Sequence, residues 1–208
     1  MGTDVRVCFV GDSLTLGVGD PAAYGWAGRL VTEHTPGDIS LTSYNLGVRG
    51  ETSTDVAARW RAEVTPRLAG RRHRGVVLSV GVNDTRGEHG PAVGIDESVA
   101  TLSGLINEAG SLSLPLLVVG PVPVADAEHN ERTRALDARF AEVCAGGGVD
   151  YVPVFTRLIA DPIWLGQVSA VDGLHPQHAG YGLLAGLIAP AWQGWLGRVR
   201  HHEGQHRR

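Results

Sequence analysis

Lysine is absent from this chain: of its 208 residues 18 are basic, and every one of them is arginine. Without lysine the protein cannot form a Schiff base, bind phosphate through a Walker-type lysine or activate a serine in a Ser-Lys pair. The formal net charge is -4, so no positive field favours nucleic acid as a partner. These absences exclude several function classes at once.

Cysteine and long apolar runs are also scarce. Cys8 and Cys144 have no Cys-x-x-Cys spacing, and we predict two unpaired, buried thiols. No run approaches the ~18 apolar residues of a membrane span, and the N-terminus lacks the basic and apolar segments of a secretory leader. We therefore expect a soluble, cytoplasmic protein with no integral membrane segment.

What the chain does contain is an alternation of strand-like and helix-like segments. Hydrophobic residues make up 43% of it and charged residues 19%, as in one globular domain. The alternation predicts an α/β fold with a five-stranded parallel sheet and helices on both faces. We expect this domain over residues 1–197 and a basic, His-rich, disordered tail over 198–208. The strands are predicted at 5–10, 39–47, 75–81, 115–120 and 149–155.

Ser13 lies directly after the first predicted strand, where a parallel sheet places its functional residues. Thr15 replaces the second glycine of the Gly-x-Ser-x-Gly elbow, so an α/β-hydrolase nucleophile is excluded. A serine nucleophile needs a base, and His175 follows the fifth strand with Asp172 three residues before it. That spacing allows the carboxylate to orient the imidazole. The alternatives are a helix-capping serine, a solvated Asp-His loop, and His178 in place of His175.

Donors for an oxyanion can also be found after the strands. The Ser13 N–H would lie at a strand-to-helix turn, Gly47 follows the second strand, and Asn83 follows the third. Each has a simpler interpretation as a turn or capping residue. Their occurrence together, at successive strand ends, favours a site.

Four blocks in this order resemble those of the SGNH (GDSL-type) hydrolases: GDSLTLG (11–17), NLGVRG (45–50), GVND (81–84) and DGLHP (172–176). The resemblance implies a three-layer α/β/α, flavodoxin-like fold. It also implies hydrolysis of esters or thioesters through an acyl-Ser13 intermediate, without a metal or cofactor. By resemblance, His175 is the general base, Asp172 orients it, and Ser13, Gly47 and Asn83 form the oxyanion hole. We interpret Asp12 and Asp84, in the same blocks, as structural.

Two literal motif matches are rejected. HEGQH (202–206) has the His-Glu-x-x-His spacing of zinc proteases, but Gly204 interrupts it in a polar segment with no apolar surroundings. Asn83-Asp84-Thr85 matches a glycosylation acceptor, although nothing in the sequence indicates secretion. We therefore expect neither zinc catalysis at the first motif nor glycosylation at the second.

The substrate is the least determined feature. We predict that Trp26, Val122, Val124 and Trp164 line the cleft. The short loops favour a small ester with a short acyl group. The alternatives are a carbohydrate O-acetyl esterase, a lysophospholipase or acyl thioesterase, and a noncatalytic flavodoxin-like module that binds flavin or nucleotide. Oligomeric state is left open.

Overall fold

The computed structural model describes residues 2–201, which contain one sheet of five parallel strands. The strand order is β2-β1-β3-β4-β5, as in a three-layer α/β/α fold. The predicted fold class is therefore confirmed, and each predicted strand is present with ends that differ by a few residues. The strands are β1 (Thr3–Gly11), β2 (Ile39–Gly47), β3 (His73–Ser79), β4 (Leu116–Val119) and β5 (Asp150–Val152).

The carboxyl ends of the strands lie level with one another. Gly11 at the end of β1 pairs with Gly47 of β2 and with Ser79 of β3. Ser79 pairs in turn with Val119 of β4, which pairs with Val152 of β5. Loops that are far apart in sequence therefore begin at one edge of the sheet, where ligands bind in folds of this kind.

Helices cover both faces of the sheet. Val7 and Phe9 of β1 pack into one apolar cluster, whereas Cys8 and Val10 pack into the other, as the two-residue period of a strand requires. The helices are α1 (Ser13–Leu16), α2 (Gly25–Glu33), α3 (Ser53–Leu68), α4 (Ile95–Ser111), α5 (Ala127–Gly146), α6 (Phe155–Ile159), α7 (Pro162–Val171) and α8 (His178–His201). The first cluster contains residues of α2, α7 and α8, and the second contains residues of α3, α4 and α5.

Three helices were not predicted from the sequence: α1, α6 and α7. The first two have only four and five residues, too few to show a helical period. Pro66 lies in the last turn of α3, which ends at Leu68.

The prediction of a disordered tail is wrong for its first residues, 198–201, which are helical. Helix α8 continues to His201; in its last turns Val199 is buried in the core, and Arg198 and Arg200 form ion pairs with Asp150 and Asp38 at the amino ends of β5 and β2. The remaining predicted tail, including the HEGQH segment, lies outside the described residues.

The two cysteines are buried and free, as predicted. Burial raises the pKa of each thiol to about 12, so neither is a reactive thiolate. Between residues 2 and 201, no helix combines the length and apolar character needed to cross a membrane.

Candidate active site

Ser13 occupies the first position of α1, immediately after β1. Asp12, rather than Ser13, caps this short helix: its Oδ1 accepts a hydrogen bond of 2.9 Å from the Leu14 N–H. The Ser13 hydroxyl is therefore not used for capping and points elsewhere, although its residue is only 1% exposed. Burial, with a smaller contribution from the Asp84 charge, raises the pKa of Asp12 to about 7.

His175 lies beside Ser13, although 162 positions separate them in sequence. Its Nε2 is 2.8 Å from Ser13 Oγ, and its Nδ1 is 2.7 Å from Asp172 Oδ2. The other oxygen of Asp172 accepts hydrogen bonds from the N–H groups of Leu174 and His175. The structure thus brings the three residues of the predicted triad together in the predicted order of contacts.

Asp172 is held in its charged form. Burial opposes this charge, but the hydrogen bonds from the His175 N–H, the His175 ring and the Leu174 N–H outweigh it and lower the pKa of the Asp172 carboxyl. A charged Asp172 favours the His175 tautomer with its proton on Nδ1, so that Nε2 can accept a proton from Ser13.

His178, the rival base, lies elsewhere. Its Nδ1 accepts a hydrogen bond of 2.7 Å from the Arg29 guanidinium, and its ring is largely exposed. Arg29 is itself buried against Asp20, at 2.5 Å. His178 therefore belongs to a polar cluster behind the site and does not contact Ser13.

The loop after α1 supports His175 from behind. A Cβ at Gly19 would lie 2.7 Å from the Pro176 carbonyl oxygen and 3.2 Å from His175 Cβ, and its φ is +89°. Only glycine fits this close approach. The same loop is fixed by Tyr181, whose hydroxyl donates to the Val18 carbonyl at 2.6 Å.

Asn83 also lies at the carboxyl edge of the sheet, facing the cavity beside Ser13. Its side-chain NH₂ donates to the Glu51 carbonyl at 2.8 Å, which fixes which end of the amide carries the donors. The second contact of this NH₂, to Asp12 Oδ2, is long at 3.5 Å. These contacts leave one N–H of Asn83 without a short hydrogen bond, which is compatible with the predicted role as an oxyanion donor.

The structure does not support Gly47 as one of the predicted oxyanion donors. Its N–H donates to Asn45 Oδ1 at 3.0 Å, and Gly47 is not among the residues that line the cavity. A Cβ here would lie 2.3 Å from the Leu16 nitrogen. Glycine is required at this position so that β2 can pack against α1, and not to reach a substrate.

Gly50, in the same sequence block, lines the cavity with Ser13 and Asn83. No hydrogen bond joins its N–H to another described residue, and a Cβ there would meet no atom within 4 Å. Its φ of +82° suits glycine. The sequence block NLGVRG contains both glycines, and only the fold distinguishes them.

Arg59 was missed by the sequence analysis because it lies within a helix, away from any block. Its guanidinium donates to the carbonyls of Gly11 and Leu46, at 3.1 and 3.0 Å, and to the Glu51 carboxylate at 2.6 Å. It thereby ties the ends of β1 and β2 to the segment that carries Gly50. Because Glu51 also accepts from Asn83, Arg59 positions both sides of the candidate oxyanion hole.

Asp84 has the structural role expected of it. Its two oxygens accept hydrogen bonds from the N–H and hydroxyl of Ser53, at 2.7 and 2.5 Å. Ser53 is the first residue of α3, so Asp84 fastens the loop of Asn83 to the start of this helix.

The cavity at this edge has a volume of about 460 Å³. Of the four residues predicted to line it, Val124 does so. Trp26 and Val122 are instead buried in the core on one face of the sheet. Trp26 packs edge-on against Phe9, with 5.7 Å between ring centroids. It lies on the side of α2 that faces the sheet, where an apolar side chain is buried in the core.

Trp164 is also buried, on α7, and contacts the cavity only indirectly. Its Nε1–H donates to the Pro123 carbonyl at 2.9 Å. Asn130 holds the next residue, Val124, by paired hydrogen bonds of 2.8 Å to its N–H and carbonyl. These contacts fix the backbone of the cavity wall, so Trp164 supports the wall that it was expected to form.

The cavity also includes residues that were not predicted to line it, among them Arg49, Arg86 and His129. Arg49 lies within the recognised block at 45–50 and Arg86 shortly after the block at 81–84, so their position was the available signal. His129 lies in the first turn of α5 and gave none. Within residues 2–201, no three His, Cys, Asp or Glu side chains are grouped as a metal site would require.

Comparisons with known proteins agree with this geometry. The family model of the GDSL-like Lipase/Acylhydrolase family matches residues 9–183. An acetylxylan esterase of Geobacillus stearothermophilus is 25% identical over 89% of this chain and 92% of its own. A crystal structure of an acetylxylan esterase from that organism has a TM-score of 0.71 at 19% identity, covering 95% of this chain and 97% of the other. The lipase/acylhydrolase of Enterococcus faecalis has a TM-score of 0.69 at 22% identity, covering 91% and 96%.

Proposed function

This chain belongs to the GDSL-like lipase/acylhydrolase family and is a carboxylic ester hydrolase, and we propose that it hydrolyses short-chain esters through an acyl-Ser13 intermediate. The observation that carries the proposal is the continuous hydrogen-bonded series from Ser13 Oγ through His175 to Asp172. A binding module has no use for such a series. The alternative of a noncatalytic flavodoxin-like protein is therefore set aside.

The proposed reaction uses each group in turn. His175 Nε2 takes the Ser13 proton as Oγ attacks the ester carbonyl, and Asp172 stabilises the imidazolium. The oxyanion is bound by the N–H groups of Ser13 and Gly50 and by the Asn83 amide. The tetrahedral intermediate then expels the alcohol, which takes the proton from His175. Water, activated by His175, releases the acid and restores Ser13.

The cavity wall supports a short acyl group over a long one. Its lining includes the polar side chains of Arg49, Arg86, Asp126 and His129 beside the apolar side chains of Val124, Ala125 and Leu174. A long hydrocarbon chain would have to displace water from these polar groups without replacing their hydrogen bonds, which costs free energy. An acetyl or similar group makes no such demand.

A carbohydrate O-acetyl esterase is the second candidate. The observation that favours it is the likeness to an acetylxylan esterase over nearly the whole of both chains. An acetylated sugar presents a short acyl group on a hydroxyl-rich alcohol, and both features suit a polar cavity.

The experiment is hydrolysis of p-nitrophenyl esters from acetate to palmitate by wild type and Ser13→Ala. We expect wild-type kcat/KM to be highest for acetate or butyrate, and turnover by Ser13→Ala to fall by at least about 10⁴-fold, as for loss of other serine nucleophiles. Acetylated xylose-containing oligosaccharides, assayed by release of acetate, test the second candidate.

Glu131→Gln is the matched control, since Glu131 is exposed on α5 and is not part of the cavity. It should behave as wild type. Substantial turnover by folded Ser13→Ala would contradict the acyl-Ser13 mechanism, and a maximum at palmitate would contradict the short-chain preference.

A further inference from the structure

His129 is a buried side chain of the cavity that the proposed mechanism does not use. It lies in the first turn of α5 and is only 7% exposed, yet it lines the same cavity as Ser13. Its backbone N–H donates to Asp126 Oδ1 at 2.6 Å, so the turn that carries it is held in place. A buried imidazole with a fixed position in the cavity of the nucleophile can contribute to substrate specificity.

The hydrogen bonds of the ring determine its tautomer. Nε2 is 2.8 Å from the Val82 carbonyl oxygen and 3.0 Å from Thr85 Oγ1. A carbonyl oxygen can only accept a hydrogen bond, so Nε2 must carry a proton. Burial lowers the pKa of His129, although the Val82 hydrogen bond opposes this effect. In the neutral ring that results, the other nitrogen, Nδ1, has no proton and can only accept.

Nδ1 is available to a ligand. It has no hydrogen-bond partner among the described residues, and it is not among the unpartnered polar atoms that are sealed from solvent. Because His129 is only 7% exposed and lines the cavity, we infer that Nδ1 reaches solvent through the cavity. The cavity of Ser13 thus contains a hydrogen-bond acceptor, His129 Nδ1, to which no described residue donates.

We propose that His129 Nδ1 accepts a hydrogen bond from a free hydroxyl of the substrate, and so selects esters whose alcohol part carries a second hydroxyl group. The inference rests on the proposed function, which supplies the ester and the short acyl group. A short alkanoyl group has no hydrogen-bond donor, so the donor must belong to the alcohol. The substrate class is the monoesters of polyols, including partly acylated sugars.

A fixed acceptor such as Nδ1 favours a substrate that offers a hydrogen-bond donor over one that offers only an acceptor. A hydroxyl donates to Nδ1, whereas a methyl ether at the same position presents only another acceptor and leaves Nδ1 unpaired. A net hydrogen bond of ordinary strength corresponds to about three- to tenfold in affinity. His129 Nδ1 would therefore select a hydroxyl group on an uncharged substrate.

The first test compares the acetates of ethylene glycol, 1,3-propanediol and 1,4-butanediol with their methyl ethers, using wild type, His129→Phe and Glu131→Gln. Each kcat/KM is divided by the rate constant for hydroxide-catalysed hydrolysis of the same ester. We expect wild type and Glu131→Gln to prefer the hydroxyl member of at least one pair by about three- to tenfold. In His129→Phe this ratio should fall to within about twofold of unity, since phenylalanine cannot accept.

The inference is overturned if wild type shows no preference in any pair, or if the preference survives in His129→Phe. Ser13→Ala, assayed with the same esters, separates the two proposals. Persistent turnover there refutes the acyl-Ser13 mechanism, whereas lost turnover with no hydroxyl preference in wild type refutes only the role of His129.

A second test needs no variant to fold. In ¹⁵N-labelled wild type, long-range ¹H–¹⁵N correlation spectra at pH 7 distinguish protonated from unprotonated ring nitrogens, with His129→Phe used for assignment if it folds and the Val82 and Thr85 contacts if it does not. We expect His129 to be the Nε2–H tautomer. A ring protonated on Nδ1 would overturn the proposal, because Nδ1 would then be a donor.

Discussion

At the floor of the cavity, Ser13, Asn83 and His175 are buried and hydrogen bonded, whereas at its rim Arg49 is 66% exposed and Arg86 projects into solvent. The nearest charged partner of Arg49 is Asp172, at 4.0 Å. The floor is therefore pre-ordered by the fold, whereas the rim is solvated and can rearrange around different ligands. We expect substitutions in the floor to change chemistry strongly and substitutions in the rim to change it weakly.

The largest of three effects that bear on this comparison is expected at Asn83 in the floor. Asn83→Ala should lower kcat for p-nitrophenyl acetate by ~10²–10³, the typical cost of one oxyanion donor. KM should change much less, because the donor acts mainly in the transition state. Steady-state kinetics with circular dichroism as a folding control checks this, and a loss of under about threefold would rule Asn83 out as a donor.

A smaller effect, on stability and not on turnover, is expected from ionisation of Asp12, the residue before Ser13. The folded-state pKa of Asp12 is raised to about 7, so ionisation of Asp12 opposes folding. Its protonated form is therefore favoured in the folded state, and wild type should lose stability as pH rises from about 4 toward 7. Asn at this position can still accept from the Leu14 N–H but cannot ionise.

Between pH 5 and pH 7 the free energy of unfolding of wild type should fall by about 2 kcal/mol relative to Asp12→Asn, at about 1.4 kcal/mol for each pKa unit. Urea denaturation of both proteins at the two pH values measures this difference. Parallel changes in the two proteins would mean that the Asp12 carboxylate is stabilised by contacts that offset its burial.

The smallest effect is expected at the rim. Arg49→Gln should change kcat/KM for p-nitrophenyl acetate by less than about threefold and the free energy of unfolding by less than about 0.5 kcal/mol, as for most exposed side chains. The same assays check both values. A loss comparable to that in Asn83→Ala would erase the distinction between floor and rim, and would place Arg49 among the groups that act on the ester.

Much of the floor could be predicted because Ser13 and Asn83 come soon after β1 and β3 and the Asp172-His175 segment comes after the last strand, although α6 and α7 lie between. The rule that parallel strands end at one edge brings Ser13, Asn83 and the Asp172-His175 segment together before any coordinates exist. The same reasoning chose Gly47 and did not consider Gly50. It failed there because the two glycines are three residues apart in one sequence block, and only the folded structure shows which N–H is already bonded.

The cavity wall could not be predicted to the same degree. Trp26 and Trp164 are large apolar residues near the right segments, but their burial depends on which face of each helix meets the sheet. His129 and Arg59 lie on helices and contact the site through hydrogen bonds to backbone atoms distant in sequence. Such contacts leave no pattern in the chain.

The sequence by itself determined the α/β class, the order of the strands along the chain and the type of chemistry, because strand periodicity and strand-end motifs are local properties. The tertiary structure alone decided which glycine faces the cavity and which tautomer His129 adopts, and it removed His178 as an alternative to His175. Those outcomes depend on distances between segments up to 162 positions apart. Only the packed sheet and its two helical layers set such distances.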